Sequence, residues 1–221
     1  MKRLNYIVSL FLILTSMNME GSNIKYQKID TKEKKVIFFG NSITQSWSDY
    51  TGFFNKNGYI NKGISGQTTD QMLLRFKEDV VNENPYCVVI LAGINDLAQN
   101  NGPISLEDIF ENIKSMIKIA NDNNIKVILS SILPAYEFLW NLGIYPSNDI
   151  IFLNKNFIEY CQSGNATYVD YHSSMKDERN GLKNEFTYWR DDFDGYDGVH
   201  PNKDGYLKME KIISKILKKI L

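Results

Sequence analysis

The sequence predicts an α/β fold in which a five-stranded parallel sheet is covered by helices on both faces. Three observations carry this. Short apolar runs recur along the chain, each closed by glycine or a polar turn; helical periodicity fills the gaps between them; and no internal repeat or linker interrupts residues 35–221. Val36-Ile-Phe-Phe39 is the first run and ends at Gly40. Tyr59-Ile-Asn-Lys62 is weaker and ends at Gly63. Cys87-Val-Val-Ile-Leu91 is the strongest, and Lys126-Val-Ile-Leu-Ser130 and Thr167-Tyr-Val-Asp170 complete the set. Between them Met72, Leu73, Phe76 and Val80 form one apolar stripe. Leu106, Ile109, Phe110, Ile113, Met116, Ile117 and Ala120 form a second, with Ser105 placed to cap it. Tyr206, Met209, Ile213, Ile216, Leu217 and Ile220 form a third at the end of the chain.

The 221 residues suffice for one domain with a full core. With 25 basic and 26 acidic residues the formal charge is −1, which offers no electrostatic reason for a nucleic-acid partner. The lysines of the last stripe (Lys208, Lys211, Lys215, Lys218 and Lys219) read as a solvated helix face. At the start, Lys2 and Arg3 precede the apolar run Ile7-Val-Ser-Leu-Phe-Leu-Ile-Leu14, which is too short to span a bilayer. This pattern reads as an export signal over residues 1–22, with residues 23–221 as the mature domain, exported and not stably inserted in a membrane. No cysteine follows the apolar run, which argues against a lipid anchor. Cys87 and Cys161 are too few for a disulfide framework, and no cysteine or histidine cluster suggests a metal.

In sheets of this kind ligands bind beyond the carboxyl ends of the strands. Ser42 follows the first strand, Gly66 the second and Asn95 the third. Ser42 comes after Gly40-Asn41, where a glycine permits a tight bend, and at the start of what reads as a helix. Such a serine is more often a cap than a nucleophile unless a base takes its proton. Only two histidines are available, His172 and His200. Asp197 lies three residues before His200, with Gly198 between to turn the chain, so the carboxylate can orient the imidazole. Alone, that spacing is more often a loop with a surface histidine. Asn95 can donate to a developing oxyanion, and Gly66 offers a backbone N–H with no side chain in the way. Each is also a common turn residue.

Taken together, Gly40-Asn-Ser-Ile-Thr44, Gly63-Ile-Ser-Gly66, Gly93-Ile-Asn-Asp96 and Asp197-Gly-Val-His200-Pro resemble, in order, the four blocks of the SGNH hydrolases, the GDSL-like lipases and acylhydrolases. Asn41 departs from the aspartate most common there. The resemblance implies a flavodoxin-like three-layer α/β/α sandwich and hydrolysis of carboxylic esters without a cofactor. It implies Ser42 as nucleophile, His200 as base and Asp197 as its orienting group. Ser42 and Gly66 N–H groups and the Asn95 amide would bind the oxyanion. Family members act on acetylated sugars, lysophospholipids, thioesters and aryl esters; the rival reading for this chain is transfer of the acyl group by the same three residues to a sugar instead of to water. The expectation for this exported chain is a short acyl group, such as acetyl on a carbohydrate. A flavodoxin-like binding module, with Ser42, Thr44 and Ser46 around a phosphate, leaves the asparagine and Asp-His blocks unused.

Two aromatic segments flank these blocks. In Pro134–Pro146, Tyr136, Phe138, Trp140 and Tyr145 suit either an acyl or sugar pocket or simple loop packing, with Tyr136 and Trp140 the candidate substrate contacts. Phe186-Thr-Tyr-Trp189 through Phe193 is a candidate for the opposite wall. His172, without a family motif around it, reads as structural or at the rim.

Overall fold

A computed structural model describes residues 34–221; the export segment expected at residues 1–22 lies outside the described residues. The apolar runs become strands β1 (Val36–Gly40), β2 (Ile60–Gly63), β3 (Cys87–Leu91), β4 (Lys126–Ser130) and β5 (Thr167–Val169). All are parallel, in the order β2-β1-β3-β4-β5. Every residue of β1 and β3 is buried, as expected of strands covered on both faces.

The chain steps once from β1 to the left, to β2, and then three times to the right. Right-handed crossovers therefore put the first connection on one face and the later three on the other. The first contains α1 (Ser42–Tyr50) and α2 (Phe53–Asn57). The others contain α3 (Thr69–Phe76), which runs into a π-helical turn at Lys77–Val81, then α4 (Ile94–Leu97), α5 (Leu106–Asp122) and α6 (Ser147–Gln162). After β5 come the short α7 (His172–Met175) and an antiparallel hairpin of β6 (Thr187–Arg190) and β7 (Gly195–Pro201). The closing helix α8 (Lys203–Ile220) packs on α1. Ser105 caps α5 as expected, accepting from Asp108 N–H.

The reversal of direction falls between β1 and β3, and the crevice at such a switch point is where this architecture binds ligands. The register fixes it closely: Gly40 at the end of β1 lies between Gly63 of β2 and Leu91 of β3. The loops carrying Ser42, Gly66 and Asn95 therefore leave adjacent strands at one level. Gly40 is required there for a reason other than the bend inferred from the sequence. A Cβ would lie 2.8 Å from the Leu91 carbonyl oxygen and 2.9 Å from Thr44 Cβ, so the position demands close approach, not unusual backbone angles. Both cysteines are free, and Cys87 is buried in the sheet. Among the described residues no helix is long and apolar enough to cross a membrane.

Candidate active site

The first turn of α1 is built by residue 41. Asn41 is the N-cap, its side-chain oxygen accepting from Ile43 N–H at 3.1 Å, which is the capping bond an aspartate would make. Ser42 follows as the first helical residue, 9% exposed. Its N–H lies among the first-turn groups that have no intrahelical acceptor.

The helix is fastened to the segment carrying His200. Tyr206 donates from its hydroxyl to Ile43 O at 2.9 Å, and Trp47 Nε1 donates to Glu210 at 3.1 Å. The Trp47 ring stacks on Tyr206 with centroids 5.6 Å apart. These contacts join α1 to α8, and His200 lies just before α8 on β7. Ser42 Oγ is consequently 3.0 Å from His200 Nε2. On the far side of the ring, His200 Nδ1 is 2.9 Å from Asp197 Oδ1.

Asp197 is 2% exposed, and the chain turns at Gly198 with φ +72° so that two further N–H groups reach the same oxygen. His200 N–H donates to Asp197 Oδ1 at 2.6 Å and Val199 N–H at 3.1 Å. Burial alone would raise this carboxyl. The bonds and charge from His200, with the Val199 N–H, outweigh burial and hold it below the ordinary aspartate value. It stays ionised, and Nδ1 keeps its proton, leaving Nε2 to accept from Ser42.

The opposite side of the crevice is a second buried network. Asn95, in the first turn of α4 and 3% exposed, donates from Nδ2 to Gln67 O at 2.9 Å. One amide hydrogen is thereby used and the other remains. Gly66 adopts φ +77° with open space where a side chain would be. Asp96 accepts from Thr69 N–H at 2.9 and 3.1 Å and from the Thr69 hydroxyl at 2.5 Å. Asn112 Nδ2 reaches the same hydroxyl at 3.1 Å. Burial raises the Asp96 carboxyl, and the Thr69 bonds only partly offset it. Adjacent side chains of α4 thus tie the glycine and asparagine loops together, Asn95 to the loop and Asp96 to the start of α3. The sequence assigns a role to Asn95 and none to Asp96, although Asp96 stands beside it in the same Gly93-Ile-Asn-Asp96 block.

The aromatic segments divide. Trp140 is 43% exposed, with its ring 5.8 Å from that of His200 and its Nε1 donating to Asn100 Oδ1 at 3.0 Å. Asn100 in turn approaches Gly66 O at 3.4 Å. Tyr136 instead packs against Tyr145 and beneath the Arg179 guanidinium, and Phe138 is fully buried as core. His172 is buried at the start of α7, its backbone N–H donating to Ser131 Oγ. Burial first, then Lys176, makes its ring less basic than usual. Among the described residues no three histidine, cysteine, aspartate or glutamate side chains are gathered as metal ligands.

The fold and site therefore define an α/β protein with a serine, a histidine and an aspartate in one hydrogen-bonded line at the switch point of a parallel sheet. Residues 38–208 match the sequence model of the GDSL-like lipase/acylhydrolase family, and the chain belongs to that family. It is similar to the crystal structure of a GDSL-like lipase from Bacteroides thetaiotaomicron VPI-5482. That similarity is 44% identity over 86% of this chain and 90% of the other, with a TM-score of 0.81. A structure from Bacteroides fragilis NCTC 9343 gives 43% identity over 86% and 89%, with a TM-score of 0.80. The uncharacterized lipoprotein YqeF of Bacillus subtilis (strain 168) is 26% identical over 152 residues, 60% of this chain. The chain spans 58% of the length of that relative.

Proposed function

We propose that this protein is an exported serine esterase that removes short acyl groups, foremost acetyl carried on a carbohydrate, through an acyl-serine intermediate. The observation that carries the reading is the line Ser42 Oγ, His200 Nε2, His200 Nδ1, Asp197 Oδ1, with contacts of 3.0 and 2.9 Å. His200 takes the Ser42 proton as Oγ attacks the ester carbonyl, and Asp197 stabilises the imidazolium that forms. The tetrahedral oxyanion accepts from the Ser42 and Gly66 N–H groups and from the free amide hydrogen of Asn95. The C–O bond to the alcohol breaks, His200 returns the proton to the leaving oxygen, and water repeats the sequence to free the acid and Ser42.

Trp140 supports the choice of substrate. Its exposed ring beside His200 narrows the space for an acyl chain and presents an apolar face suited to stacking a sugar ring. Export is supported by the basic and apolar start of the chain and by the lipoprotein description of the Bacillus relative.

The test is hydrolysis of p-nitrophenyl esters from acetyl to palmitoyl by wild type, Ser42→Ala and Trp140→Ala. Wild type is expected to prefer acetyl, Ser42→Ala to be silent, and Trp140→Ala to shift the preference to longer chains. Full activity in Ser42→Ala would refute the mechanism. Transfer of acetyl to an added oligosaccharide faster than to water would replace hydrolase by transferase.

A further inference from the structure

The β6–β7 hairpin brings a charged side chain to the site that the three-residue mechanism does not use. Arg190 pairs with Gly195 and Trp189 with Tyr196 across the hairpin. Side chains alternate between faces along a strand, so Trp189 and Tyr196 share the outer face, where their rings meet at 5.2 Å. Arg190 and Asp197 share the inner one. Arg190 Nη1 lies 3.6 Å from Asp197 Oδ2. Its remaining donors grip Asp192 in the turn, Nε at 2.8 Å and Nη2 at 2.5 Å, and the guanidinium stacks over Phe193 at 4.9 Å. The arginine is therefore held in place although its side chain is 33% exposed.

The two oxygens of Asp197 are thus in different surroundings. Oδ1 takes all three N–H donors, and Oδ2 faces the guanidinium. The other groups around the carboxylate are Tyr188 on β6 and Tyr206 on α8, both phenols that burial makes less acidic. Asp192 in the turn offsets part of the arginine charge. Among the described residues the far nitrogen of His200 meets the neutral Ser42 hydroxyl, with the uncharged Trp140 ring alongside.

We propose that Arg190 is a positioning residue for the Asp197–His200 pair, holding Oδ2 so that Oδ1 alone serves the imidazole, and setting with its charge how readily His200 accepts a proton. The proposal rests on the reading of His200 as the base for Ser42. A cation on the far oxygen offsets part of the attraction between the carboxylate and a protonated ring, and it ties that oxygen in place. Its removal leaves the full negative charge facing the imidazole and the carboxylate free to rotate.

The experiment follows the His200 ring by NMR titration, together with the rate at which a fluorophosphonate labels the protein between pH 5 and 9. Wild type, Arg190→Gln, Arg190→Lys and Ser42→Ala are compared, with His172→Gln assigning the two histidines. In Arg190→Gln the midpoint of the His200 titration and the acid limb of labelling should both move up by about half a pH unit. Labelling at pH 7 should slow about tenfold from the loss of both charge and alignment. Arg190→Lys keeps the charge without the planar fork, so it should restore the midpoint and only part of the rate. An unchanged midpoint in Arg190→Gln overturns the proposal, and so does a loss of labelling matched only by a lower melting temperature. Labelling of Ser42→Ala at the wild-type rate would instead overturn the serine mechanism on which the proposal rests.

Discussion

Replacing Asp197 by asparagine separates the two services that this carboxylate performs, charge and orientation. In many sites an asparagine can turn its amide toward the imidazole and force the wrong tautomer, which costs about 10,000-fold in rate. Here Oδ1 also accepts from the backbone N–H groups of His200 and Val199, at 2.6 and 3.1 Å. An asparagine must keep its oxygen at that point, because turning its NH2 there would set three donors against one another. The Nδ1 proton then stays in place; what is lost is the charge opposite the imidazolium and the acceptor that faced Arg190 Nη1. Exchanging a charge-assisted for a neutral hydrogen bond in so buried a position costs about 2–3 kcal/mol, or about 30- to 150-fold in kcat/KM. Asp197→Ala removes the acceptor altogether and should lose about 10,000-fold. The assay is kcat/KM on p-nitrophenyl acetate at pH 8, with melting temperatures to confirm folding. Equal losses in Asp197→Asn and Asp197→Ala would refute the claim that the backbone donors fix the oxygen.

Other consequences concern stability. Asp96→Ala leaves the buried Thr69 N–H and hydroxyl without their acceptor and should cost about 2–4 kcal/mol in urea unfolding; Asp96→Asn, which keeps an acceptor, should cost less than half as much. The two buried aspartates respond to pH with opposite signs. Asp197, lowered in the native state, contributes stability above the ordinary aspartate range that is lost as pH falls through its native value. Asp96, raised in the native state, contributes stability that is full below the ordinary value and lost as pH rises through its native one. Melting temperature in Asp96→Asn should therefore decline less than in wild type as pH rises from the ordinary aspartate range. Gly63→Ala would set a Cβ 2.2 Å from the Gln45 backbone nitrogen and should destabilise by about 3 kcal/mol or more, whereas Gly66→Ala meets nothing and should cost only the roughly 1–2 kcal/mol of its left-handed backbone.

The strands were legible as short continuous apolar runs and α3, α5 and α8 as periodic apolar stripes, with turn residues between them. Helix α6 was not. Ile151, Phe152 and Ile158 are exposed apolar residues beside the buried Ile150, Leu153 and Phe157, which blurs the stripe, and Pro146 provides no side-chain cap. The β6–β7 hairpin was read only as an aromatic segment, since its strands are short and its ladder is irregular between Thr187 and Trp189. Arg190 was invisible for the same reason, because its relation to Asp197 exists only across that ladder. The Ser42, Gly66, Asn95 and Asp197–His200 segments were legible as spaced motifs. What joins the first to the last, Tyr206 on Ile43 and Trp47 on Glu210, spans 163 residues and leaves no local pattern.

The most direct measurement is to label the protein with a fluorophosphonate and locate the adduct by mass spectrometry, in wild type and in His200→Gln. A single adduct on Ser42 is expected in wild type, with labelling at least about 1,000-fold slower in His200→Gln. An adduct on another residue, or equal labelling without His200, would contradict the mechanism.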